Sequence, residues 1–196
     1  MRELAPTPRP PRLTRSGSIL VLYGALALLG VVWSALRGHP QIYRVTERWT
    51  WTPWTPSHAL LNLLAGLGVG LVIVALTRLA SSQLAWARSL HNEFRHLLGP
   101  LSDREILVLA LASSIGEECF FRGALVPHVG VVASSVLFAL PHIGPGARFL
   151  PWTITSFVVG LAMGALFTLG GDLGGPIAAH FIVNYLNLHH IRKAEA

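Results

Sequence analysis

The sequence predicts an all-α fold: a polytopic membrane bundle of about six transmembrane helices with one amphipathic helix at the interface. Three observations lead there. The 196 residues are 52% hydrophobic and only 12% charged, with a mean hydropathy of +0.54; a soluble domain of this length needs a more polar surface. Uncharged stretches recur at close to the ~20 residues that cross a bilayer, and inside lipid only helices and closed barrels satisfy their own backbone groups. The charges gather in the short segments between those stretches, where membrane topology uses them.

Taken in order, residues 1–15, "MRELAPTPRPPRLTR", are proline-rich, carry four arginines and lack apolar periodicity. They predict a disordered cytoplasmic tail ahead of one membrane domain, 16–196. Residues 17–36 form the first span; their apolar run is too long for a signal peptide and lacks a clear cleavage site. The loop 37–57 holds Trp49, Trp51 and Trp54 in "WTWTPWTP", a composition suited to the headgroup level. A second span covers about His58 to Leu76, with Gly66, Gly68 and Gly70 permitting close helix approach.

Between residues 77 and 104, Leu79, Trp86, Leu90, Phe94 and Leu97 recur at helical spacing, with Arg88, His91 and Arg95 among the polar positions. That pattern predicts an amphipathic helix on the membrane surface. Four further spans are expected at about 105–125, 130–142, 150–169 and 174–190. Gly160 and Gly164 form a GxxxG pair in the third of these.

Arg2, Arg9, Arg12, Arg15, Arg78, Arg88, Arg95, Arg104, Arg148, Arg192 and Lys193 fall on one side of a six-span arrangement. Arg37, Arg44, Arg48 and Arg122 fall on the other. The bias places both termini in the cytoplasm of a cell with one inner membrane. The basic residues do not cluster with aromatics on one exposed face, which argues against nucleic-acid binding. The single cysteine, Cys119, rules out an internal disulfide.

Inside the predicted spans the ionisable residues are few: Glu117, Glu118, Arg122, His142 and His180, with Asn184 beside the last. Each charge near the bilayer centre costs roughly 2.5–3.5 kcal/mol on insertion scales, so three within "EECFFR" demand a reason. Adjacent helical residues diverge by about 100°. Glu118 and Arg122, four apart, face one another as an ion pair, and Glu117 points elsewhere. His180 and Asn184 share a helical face and can address one oxygen or one metal. Pro141 kinks or ends the helix that carries His142. At about 1.5 Å per residue, Glu117, His142, His180 and Asn184 reach one layer slightly outside the midplane. The bland alternative is a packing network without chemistry.

These residues resemble the CAAX protease and bacteriocin-processing (CPBP, or Abi) family of intramembrane endopeptidases. "EECFFR" fits EExxxR, "FALPH" fits FxxxH and "HFIVN" fits HxxxN, in order and within about 105–190. The resemblance implies that Glu117 and His142 activate a water, and that His180 and Asn184 stabilise the oxyanion. Glu118 and Arg122 would support the helix. A desolvated carboxylate suits a general base, and a histidine and an amide suit an oxyanion.

The preferred reading needs no cofactor. The competing one is a zinc site held by Glu117, His142 and His180. The implied substrate is a membrane-anchored protein or peptide: a CAAX-type protein, a bacteriocin precursor or a C-terminal sorting signal. An outward-opening site would suit the anchored tail of an exported protein, as in myxosortase-like members. Two other classes compete, a non-proteolytic scaffold or immunity protein of the same fold and a transporter using the glutamate as a proton relay.

Overall fold

The computed structural model describes residues 14–39, 41–45 and 55–193. Seven α-helices run through them: α1 (Arg15–Leu36), α2 (Pro56–Gln83), α3 (Ala85–Leu98), α4 (Asp103–Glu117), α5 (Val126–Ala139), α6 (Leu150–Gly170) and α7 (Gly174–Lys193). A π-helical segment, Glu118–Leu125, joins α4 to α5, and 3-10 turns at Leu140–His142 and Ala147–Phe149 lead into α6. Among the described residues there is no strand, only an isolated bridge between Arg44 and Asp172.

The helix starts follow from local chemistry. Thr14 caps α1 by accepting from the Gly17 amide at 3.2 Å. Thr14 and Arg15 therefore belong to the helix, and the predicted tail shrinks to residues 1–13. Those residues and the three loop tryptophans lie outside the described residues. Thr55 caps α2 ahead of Pro56, whose missing N–H costs nothing at a first turn. Ser102 and Glu105 form a reciprocal capping box on α4.

Among the described residues, four helical runs are long and apolar enough to cross a membrane: Arg15–Leu36, Pro56–Gln83, Asp103–His142 and Ala147–Gly170. Asp103–His142 contains two of the predicted spans, because Gly130 adopts φ 80° and ψ 170° and breaks the helix there. Only glycine takes that conformation without a Cβ penalty. The sixth span, α7, is too polar to meet the same standard and packs instead against α2, α4 and α6. The second span outruns its prediction, continuing to Gln83, so the amphipathic helix is confined to α3.

Glycines set the closest approaches. A Cβ on Gly66 would lie 2.1 Å from the Gly175 carbonyl oxygen, and one on Gly70 would meet the Ala179 backbone at 2.9 Å, so α2 and α7 touch backbone to backbone. Gly68, between them, faces open space. At the head of this contact the buried Asn62 donates to the Asp172 carboxylate at 2.9 Å and to its carbonyl at 3.0 Å. Gly160 and Gly164 do the same for α6 on α5, against Ser135 and Val131. Gly66→Ala is expected to lower stability by about 1–3 kcal/mol, read as an earlier thermal unfolding transition in detergent. Gly68→Ala, with no atom within 4 Å, should leave it unchanged or raise it, since alanine is the better helix former.

One end of the bundle is markedly basic. There Arg15 donates to the Pro100 carbonyl at 3.0 Å, Arg78 to Leu186 at 2.6 Å and Arg95 to Ile191 at 3.2 Å. Arg192 pairs with Asp103 at 2.7 Å, and Arg148 with Glu93 on α3 at 2.5 Å. Five of the arginines that the charge bias groups on one side, Arg15, Arg78, Arg95, Arg148 and Arg192, are thus tied to backbone or acidic partners at this end.

Candidate active site

The four candidate residues come from three separate stretches of chain, and the fold brings them to one cavity of about 470 Å³. Glu117 is the last residue of α4 and Glu118 the first of the π segment. A π-helical stretch in an otherwise α-helical span is costly and is characteristic of functional sites. Here it separates the two carboxylates that the sequence places side by side.

Glu118 is fully buried. Its Oε1 accepts from Arg122 Nη1 at 2.9 Å and from His180 Nδ1 at 2.7 Å. Arg122, also buried, donates from Nη2 to the Gly160 carbonyl at 3.2 Å and lies 4.3 Å from the centroid of the Phe138 ring. The expected ion pair is present, and it does more than neutralise. Through His180 it fixes α7 to the π segment, and through Gly160 it fixes α6. A buried charge is tolerated in such a place only when paired and hydrogen-bonded.

His180 is oriented by that contact. With Nδ1–H donating to Glu118, Nε2 points at Glu117, 3.7 Å from its Oε2. Glu117 Oε2 is buried and has no hydrogen-bond partner among the described residues. The Tyr23 phenol of α1 faces the same carboxyl group. Glu117 is thus a buried acid group lining the cavity with one oxygen free of hydrogen bonds, next to a histidine whose ring is already fixed.

His142 occupies the 3-10 turn that follows α5. Its Nδ1 donates to the Phe138 carbonyl at 2.7 Å, which leaves Nε2 of the neutral ring as an acceptor. The ring packs between Phe138, 4.6 Å away, and Trp152, 5.0 Å away. Thr153 donates to the His142 carbonyl at 2.8 Å. Asn184, one turn beyond His180 on α7, donates from Nδ2 to Ser113 Oγ at 2.9 Å. The second amide hydrogen stays available to the cavity.

Sequence reasoning missed three participants. Ser113 sits four residues before Glu117, on the same helical face, and its polarity in an apolar span was the available signal. Tyr23 carries a similar signal in the first span. Phe138, the first residue of the FxxxH match, was given no role, yet its ring packs against Phe121, Arg122, His142 and His180.

From Glu117 and His180 the cavity extends past Asn184 to Thr77, Arg78 and His190, at the basic end of the bundle. There the apolar face of α3, with Trp86, Leu90, Phe94 and Leu97, forms its wall.

The donor set of Glu117, His142 and His180 suits zinc in kind, and both rings have Nδ1 held by an oxygen, as ligating histidines do. Their placement does not suit it: among the described residues no three His, Cys, Asp or Glu side chains are grouped to hold a metal ion.

Comparison with known proteins agrees with the motif reading. Residues 104–186 match the family described as Rce1-like, type II CAAX prenyl endopeptidase. The chain is 31% identical over 96 residues to the uncharacterized protein YpbD of Bacillus subtilis, covering 45% of this chain and 49% of YpbD. It is 28% identical over 142 residues to the sporulation-killing factor biosynthesis protein SkfC of the same organism, covering 64% of this chain and 28% of SkfC. It therefore spans about half or less of the length of these curated relatives. No solved structure matches it.

Proposed function

We propose, from the premise that residues 104–186 belong to the CPBP family of CAAX-type proteases, that this protein is an intramembrane endopeptidase cleaving a membrane-associated protein or peptide. The observation that carries the reading is the uncommitted oxygen of Glu117 in a cavity it shares with His142, His180 and Asn184.

Glu117 takes a proton from water as the water attacks the scissile carbonyl, and His142 Nε2 accepts the water's second hydrogen bond. His180, as an imidazolium that keeps its Nδ1–H on Glu118, donates from Nε2 to the oxyanion that forms, and the free Asn184 amide hydrogen donates beside it. As the C–N bond breaks, Glu117 returns the proton to the leaving amine, and the carboxylate is regenerated. None of these steps is routed through a metal. The supporting residues have distinct tasks: Glu118 sets the His180 ring, Arg122 balances Glu118, and Ser113 turns the Asn184 amide.

The apolar wall formed by α3 and Trp152 suits an extended hydrophobic segment delivered from the membrane. The cavity's extension to the arginine-rich end supports access from the cytoplasmic side, with both termini on that side. Bacteriocin precursors, CAAX-type proteins and C-terminal sorting signals all supply such segments. A protein carrying a C-terminal sorting signal would be reached where its tail emerges on that face.

The test is processing of candidate substrates in membranes by the wild type and by His142→Ala, His180→Ala and Asn184→Ala. Loss of an oxyanion donor should lower kcat by about 10²–10³-fold, with KM little changed. Chelators should leave wild-type turnover intact. Retained processing in all three variants would refute the protease reading and favour a scaffold or immunity role.

A further inference from the structure

Beside the basic end of the main cavity lies a second cavity, a groove of about 710 Å³ between the end of α2, the polar face of α3 and the end of α7. Arg78, Arg88, Arg95, His91 and His190 line it, and no acidic residue does. The acid nearest in sequence, Glu93, instead pairs with Arg148. Each arginine spends one donor on a backbone carbonyl: Arg78 on Leu186, Arg88 on Ser82 and Arg95 on Ile191. No carboxylate among the described residues pairs with any of the three. A guanidinium presents five N–H donors in a fixed fork, so most of this donor capacity is uncommitted.

Two further observations point to an anion. His91 Nε2 is buried without a hydrogen-bond partner, and its ring lies 4.8 Å from that of His190. Burial, together with the Arg95 and Arg78 guanidiniums, pushes the His91 imidazole below its usual value. The groove also carries exposed apolar surface: Leu79, 52% exposed, lines it, and Leu84 and Trp86, 44% and 48% exposed, lie in the chain between its lining residues Ser82 and Arg88. A phosphate in the groove would therefore have a hydrophobic band beside it, which a soluble anion does not use and acyl chains do.

We propose that this groove binds the phosphate headgroup of an anionic membrane lipid, held by Arg78, Arg88 and Arg95 with its acyl chains along α3. Basic pockets between membrane helices on the cytoplasmic side bind such headgroups through charge and hydrogen bonds together. Arg78, Ser81, His91 and His190 line both this groove and the main cavity. The bound lipid would therefore form part of the rim over which a substrate enters. The proposal does not depend on the protease reading.

The test is native mass spectrometry of the full chain, released from detergent containing equal amounts of phosphatidylglycerol and phosphatidylcholine. The wild type should retain phosphatidylglycerol selectively. Arg88→Gln with Arg95→Gln should reduce that retention about tenfold or more, given ~1 kcal/mol per basic residue near the surface, while Glu93→Gln leaves it unchanged. Should the double variant fail to fold, wild-type phosphatidylglycerol retention should still fall with added salt as phosphatidylcholine retention does not. Equal retention of the two lipids by the wild type, or unchanged retention in a folded double variant, would overturn the proposal. Displacement of the lipid by excess inorganic phosphate would assign the site to a soluble anion, and displacement by polyglutamate to an acidic protein segment; either result overturns the lipid assignment.

Discussion

Glu117→Gln should leave the protein folded and reduce its turnover by about 10²–10⁴-fold, the contribution of a positioned general base. Glutamine keeps the shape of the side chain and can still face Tyr23. It cannot take a proton from water or return one to the leaving amine. The uncommitted Oε2, 3.7 Å from His180 Nε2, is the atom the substitution disables. Two measurements on one preparation check the result: the thermal unfolding midpoint in detergent, expected within about 1 kcal/mol equivalent of the wild type since the side chain keeps its shape, and the rate of product release by mass spectrometry. Wild-type turnover in the variant would remove Glu117 from the mechanism. A large fall in the unfolding midpoint would show it to be a packing residue.

The adjacent glutamate should behave in the opposite way. Glu118→Ala strips a buried arginine of its counter-charge and releases His180 Nδ1. Breaking a buried ion pair from one side costs about 3–5 kcal/mol, so the variant should unfold early or fail to accumulate. The double variant Glu118→Leu with Arg122→Met removes both charges and fills much of their volume. Such replacements are often neutral or stabilising, so most of the lost stability should return. Activity should not, because the His180 ring has lost the acceptor that aims it. Recovery of stability without recovery of turnover separates the two roles of Glu118; recovery of both would reduce it to a counter-ion.

Much of this arrangement was legible in the sequence, and the reasons are physical. Ionised groups are so costly in lipid that their positions stand out. Glu117, Glu118, Arg122, His142 and His180 could be selected by depth and spacing alone. The Glu118–Arg122 pair followed from helical geometry, and the end of the helix that carries His142 from Pro141. What escaped were properties set by neighbours. The π segment is dictated by no local residue type. Asn62 owes its role to Asp172, which meets it across the bundle from 110 residues away. The wall of the cavity depends on α3, whose apolar stripe reads equally well as a face for lipid and as the side of a cavity.

The widened turn from Glu118 to Leu125 has a consequence for how this chain tolerates change in length. Adding or removing one residue in a helix rotates everything beyond it by about 100°. At the short connections 99–102 and 143–146 such a change is absorbed by loop backbone. Between Glu117 and Arg122 it is not: it would turn one carboxylate into the other's place and carry Arg122 away from Gly160. Relatives sharing this site should therefore vary freely in their connections while keeping the count of residues from Glu117 to Arg122 constant. The ruler is the chain itself, with the two glutamates on either side of its zero mark.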